Sequence, residues 1–73
     1  MKTIHLQGIG RKPAIECGNL KPGDRILYNY GATGEVLAVE PFGRGSVKIT
    51  TREQSGNVHT RTRRAGTLCG IVI

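Results

Sequence analysis

The sequence predicts an all-β fold, a single small barrel of five to six antiparallel strands. Three observations carry that expectation. Valine, isoleucine and threonine dominate the apolar and semi-apolar positions and alanine is scarce, a mix that suits pleated, half-buried strands. Eleven glycines and three prolines supply frequent turn signals. No window of eleven residues places apolar positions at helical spacing without a glycine or proline. A chain of 73 residues has room for one domain, 1–73, around one small core. Strands this few and short are expected to close on themselves, because an open sheet leaves apolar area and unpaired edges exposed.

The elements follow in order. Residues 3–7 (Thr-Ile-His-Leu-Gln) alternate apolar and polar over a strand's length. Residues 8–13 read as a turn or loop, and 14–17 as a short strand. Pro22-Gly23 suits a type II turn, with proline presetting φ and glycine tolerating positive φ after it. Asp24 follows at a strand start, where a carboxylate commonly accepts from turn amides. Residues 25–30 are a strand, 31–34 a hairpin loop, and 35–40 the return, ended by Pro41. Phe42-Gly43-Arg44-Gly45 turns the chain into 47–53, and 54–57 turns it again into 58–64. After Ala65-Gly66-Thr67 the apolar tail 68–73 either closes the barrel or pairs with another chain's edge.

Charge is distributed unevenly along these elements. Residues 44–73 carry six Lys/Arg and one Glu, net +5; residues 1–43 carry five Lys/Arg and four Asp/Glu, net +1. The basic half is the hairpin 44–64. An even-length turn pairs Arg52 with His59, Thr50 with Arg61, and Lys48 with Arg63. Val47, Ile49, Thr51 and Val58 then face inward, and five cationic or titratable side chains share one solvent face. Like charges placed opposite each other cost a few tenths to about one kcal/mol per pair, a cost that a bound polyanion would offset. The same charge also serves plain edge protection.

Tyr28 and Tyr30 lie two apart on one expected strand and so share a face, where they either stack on exposed bases or fill the core. Gly8-Ile9-Gly10-Arg11-Lys12 is an ordinary loop or a small anion nest. Cys17 and Cys69 are expected as buried, reduced thiols; a disulfide is the alternative and needs the first and last strands to be neighbours. No cysteine–histidine spacing suits a metal, and no cofactor motif is present. The scattered carboxylates form no acid/base pair, and a nucleophile–base pairing of Cys17 with His59 has no motif behind it, so no catalytic residue is assigned and no enzyme activity is expected. Residues 1–15 hold no apolar run of a secretory leader, and no stretch approaches membrane-spanning length. A complete small cytoplasmic protein beginning at Met1, with no membrane partner, is expected.

Leu20-Lys-Pro-Gly-Asp-Arg-Ile26, a glycine-centred loop and Glu35-Val-Leu-Ala-Val39 together resemble the opening strands of SH3-like small barrels. Gly43-Arg44-Gly45, residues 47–51, Ser55-Gly56 and the basic strand 58–64 resemble the KOW-like first domain of elongation factor P, in which a Gly-Lys-Gly loop tip precedes a long basic hairpin. Arg44 stands where that family carries its modified lysine, so the family's peptidyl-transfer role does not carry over. Residues 20–64 are also similar to small SH3-like barrel proteins of actinobacterial phages. The resemblance implies a barrel whose cationic loop and hairpin face RNA. The expected function is low-specificity nucleic-acid or ribonucleoprotein binding, DNA or RNA, through Arg44, Lys48, Arg52, His59, Arg61, Arg63 and Arg64, with Tyr28 and Tyr30 beside them. The alternative is a protein-interaction module that meets an acidic protein or a host factor, or assembles as a homodimer.

Overall fold

In the computed structural model, which describes residues 2–72, every strand joins one antiparallel sheet. The strands are β1 (Lys2–Leu6), β2 (Gly10–Glu16), β3 (Arg25–Leu27), β4 (Thr33–Pro41), β5 (Ser46–Glu53), β6 (Val58–Arg64) and β7 (Leu68–Ile71). They lie in the order β1-β2-β7-β3-β4-β5-β6. Single-turn 3-10 segments, Cys17–Asn19 and Asn29–Gly31, flank β3. Met1 and the last residue of the expected tail strand, Ile73, lie outside the described residues.

The all-β expectation holds, but among the described residues the strands number seven and the sheet does not close: β1 and β6 remain edges. The extra length comes from residues 10–13, which look like loop because of Gly10 and Pro13. They pair with β1, from Leu6 opposite Gly10 to Thr3 opposite Pro13. β2 meets β7 only from Ala14 onward. Pro13 therefore sits where β2 has one neighbour, a place that tolerates a missing N–H donor. The segment 8–12, expected as an ordinary loop or a small anion nest, is taken up by this hairpin, where Arg11 donates to the Thr3 hydroxyl at 3.1 Å.

The core lies on one face of the sheet. Cys17, Leu20, Ile26, Val36, Val47 and Ile49 are buried together, with Ile15, Val39, Ala65, Cys69 and Ile71 packed against them. A bulge at Leu37 makes this possible. Pairing with β5 shifts between Val36 and Ala38, so that Val36 faces Thr51 and Val39 faces Ile49. Strict alternation would send Val39 outward; the inserted residue returns it to the core. The expected turn at 21–24 forms, with the Asp24 N–H donating to the Lys21 carbonyl (3.0 Å) and the Asp24 carboxylate accepting from the Lys21 N–H (2.8 Å).

Beyond β6 the chain is drawn back beneath this face. The Cys17 N–H donates to the Thr67 carbonyl (2.7 Å) and the Gly18 N–H to the Ala65 carbonyl (2.9 Å). The sheet is thereby curled, with the core on its inner side. Cys17 and Cys69 form a disulfide, their Cα atoms 6.0 Å apart, in place of the expected reduced thiols. Adjacency of the first and last strands is not what joins them. β7 lies between β2 and β3, and the turn that follows β2 carries Cys17 under the inner face to meet Cys69.

Candidate functional site

The register of the basic hairpin differs from the expected one by a single residue. Arg52 lies opposite Val58, Thr51 opposite His59, Thr50 opposite Thr60, Ile49 opposite Arg61, Lys48 opposite Thr62, and Val47 opposite Arg63. The turn is the cause. The Glu53 N–H donates to the Asn57 carbonyl (2.8 Å), and the Gly56 N–H to the Glu53 carbonyl (2.9 Å). This leaves a three-residue loop, 54–56, with Gly56 in the left-handed region at φ 95°. The even loop was suggested by placing Val58 inside; it stands outside, 56 % exposed. A one-residue slip moves every side chain to the other face.

The expected single cationic face is thus two faces. Lys48 and Arg52 share the outer face with Thr50, Thr60, Thr62 and, by register, Arg64. The Thr50 and Thr60 hydroxyls meet there at 3.2 Å. On this side β4 places carboxylates in register with the cations, although among the described residues no ion pair joins them. Glu40 lies opposite Lys48, and Glu35 lies between Arg52 and Arg25. The Lys48 ammonium also stands 5.0 Å from the centre of the Phe42 ring, a cation–π arrangement. Arg44 sits at the tip of the β4–β5 loop, at the end of β5 far from the 54–56 turn.

His59, Arg61 and Arg63 lie on the inner face, alongside Thr51, Ile49 and Val47. All seven residues of β6 are exposed, so this edge strand overhangs the core rather than packing on it. Glu53 is the one carboxylate of β5 and β6, and it is already engaged. His59 Nε2 lies 2.9 Å from Glu53 Oε1, and the Ser55 hydroxyl donates to Oε2 at 3.2 Å. Among the described residues no ion pair holds Arg61 or Arg63. The Arg63 guanidinium donates only to the neighbouring Thr62 carbonyl, at 3.1 Å.

Facing this overhang is Tyr28. The two tyrosines do not share a strand face, because β3 ends at Leu27. The Tyr28 N–H donates to the Ala32 carbonyl (2.7 Å) and the chain turns through Asn29–Gly31. Tyr30 adopts φ 62° and leaves the site: its N–H and hydroxyl go to the Gln7 carbonyl (2.7 Å) and Oε1 (3.2 Å), and it is 74 % exposed. The Tyr28 ring lies across Gly34. A Cβ at Gly34 would stand 3.2 Å from Tyr28 Cε2 and 3.3 Å from its hydroxyl, so the missing side chain lets the ring settle against β4.

Between Tyr28 and β6 runs a groove. Ile26, Ile49, Thr51 and Cys69 form its floor, with Arg61 and Arg63 along the other wall, enclosing about 60 Å³. Toward the 54–56 turn it widens to about 180 Å³ beside Tyr28, Thr51, Glu53, His59 and Arg61. At its narrow part it is far smaller than the several hundred Å³ typical of a small-molecule pocket. The structure therefore gathers Tyr28, His59, Arg61 and Arg63, and leaves Arg44, Lys48, Arg52, Arg64 and Tyr30 outside. The groove residues that the sequence does not point to as site residues are Ile26, Gly34, Ile49, Thr51 and Cys69. The two β5 residues read as core, and nothing local marks Gly34 as a seat for an aromatic ring. Cys17 is held in its disulfide, so no thiol faces His59. Among the described residues no three His, Cys, Asp or Glu side chains cluster so as to hold a metal ion, and no helix is long and apolar enough to cross a membrane. Comparison of the chain with protein-family models, with curated proteins and with solved structures finds no match in any of the three.

Proposed function

We propose that this protein is a non-enzymatic, low-specificity nucleic-acid-binding module that takes the phosphate backbone on the inner face of β6. The observation that carries it is the sorting of charge. The outer cations Lys48 and Arg52 face carboxylates on β4, whereas Arg61 and Arg63 face an apolar groove whose nearest carboxylate is committed to His59. Two guanidiniums left without counter-charge over a partly desolvated floor favour an anion more than the same charges would in open solvent. The SH3-like, KOW-like reading of the fold belongs to the same proposal and rests on the motifs at 20–26, 35–39 and 43–64. A cytoplasmic location sits poorly with the Cys17–Cys69 bond, because reducing compartments keep thiols reduced.

Anisotropy titration with labelled DNA and RNA from about 50 to about 200 mM salt tests the function. Two phosphate contacts on a single strand, at Arg61 and Arg63, give a log–log slope of about −1.4. Absence of binding, or binding indifferent to salt, sinks it. One observation favours a second reading: the free edge of β6 could accept an extended acidic segment of another protein by strand addition. A homodimer across the same edge would set arginine-rich strands against each other, which like-charge repulsion opposes.

A further inference from the structure

The geometry points to single-stranded rather than duplex nucleic acid as the occupant of the groove, with one base stacked on Tyr28 and neighbouring phosphates on Arg61 and Arg63. This rests on the proposed function and specifies its ligand. Arg61 and Arg63, exposed on the edge strand, border an apolar groove. Where they stand the groove encloses about 60 Å³, and its opposite wall is Tyr28. A duplex keeps its bases stacked on one another and offers Tyr28 no free base face. A lone strand can lie along β6 with its phosphates on the guanidiniums and one base turned toward Tyr28.

Tyr28 provides a stacking surface for such a base. Its ring rests against Gly34 and is 40 % exposed, so it is both seated and accessible. It borders the narrow part of the groove, the wider space beside His59, and a further space of about 300 Å³ toward Glu53, Gln54 and Ser55. A base on the ring therefore has open volume on the side leading to the turn. From His59 to Arg63 the strand rises about 14 Å, which covers about four nucleotides at the stacked spacing of about 3.4 Å. A cationic track combined with an aromatic platform is the general arrangement for single strands, and stacking tolerates any base.

The test uses the whole chain with a labelled oligo(dT) and with a duplex of the same length. The single strand is expected to bind the more tightly, and Tyr28→Leu to weaken it about 5- to 150-fold with little effect on the duplex. The chain has two tyrosines and no tryptophan, so in Tyr30→Phe all tyrosine emission comes from Tyr28. That emission is expected to be quenched in step with oligo(dT) saturation. Duplex binding equal to or tighter than single-strand binding, or a Tyr28→Leu variant that binds oligo(dT) unchanged, overturns the inference and leaves nucleic-acid binding standing. Failure of both ligands to bind overturns the proposed function as well. A poly-glutamate peptide that displaces oligo(dT) at equal charge concentration assigns the groove to acidic protein instead.

Discussion

Reduction of the Cys17–Cys69 bond should cost this protein a large share of its stability. The bond ties positions 52 apart in sequence, and chain entropy for a loop of that size is worth about 4 kcal/mol. It fastens the turn beneath the inner face to β7, the strand lying between β2 and β3, and Cys17 is wholly buried. A domain of this length has roughly 4–11 kcal/mol in total, so the tie supplies a third or more of it. Urea unfolding followed by circular dichroism, with and without a phosphine reductant, reads the difference. With a slope of about 1 kcal/mol per molar for so small a chain, the midpoint should fall by several molar, or the reduced protein should unfold without denaturant. A Cys17→Ala/Cys69→Ala variant should match the reduced protein and ignore the reductant. Two titratable thiols in the denatured, unreduced protein would refute the reasoning, as would a reduction effect below about 1 kcal/mol.

Leu20→Ala empties part of the core cluster and should lower unfolding free energy by about 2–5 kcal/mol, measured by the same titration. Gly56→Ala forces a Cβ into the left-handed region at the hairpin turn and should cost about 1–2 kcal/mol. Gly66→Ala has open space and no positive φ, so it should change stability by no more than about 1 kcal/mol, in the stabilising direction if at all.

The strands of the basic hairpin and the turn at 21–24 were legible because alternation and Pro-Gly chemistry act locally. The hairpin's register was not, and the reason is physical. Burial of one face fixes register, but every residue of β6 is exposed, so Val58 carried no information about which side faces the core. The turn decided instead, through Gly56 and a three-residue loop. The bulge at Leu37 is equally silent in sequence, since Val36-Leu-Ala-Val39 is apolar at every position. Disulfide pairing needed the sheet order, which places β7 between β2 and β3. Residue types at the site were readable as cations beside an aromatic. Their division between a carboxylate-faced outer side and an open groove was not, because it follows from a register one residue away.

Two charge-matched double variants separate the faces. Arg61→Gln/Arg63→Gln empties the groove wall, and Lys48→Gln/Arg52→Gln removes the same charge from the outer side. Salt titrations of oligo(dT) binding should show the groove variant weakened, its log–log slope shallower by about 1.4 for two lost phosphate contacts. The outer variant should keep the wild-type slope. Equal losses in the two variants would contradict a groove-centred site and leave only net charge at work.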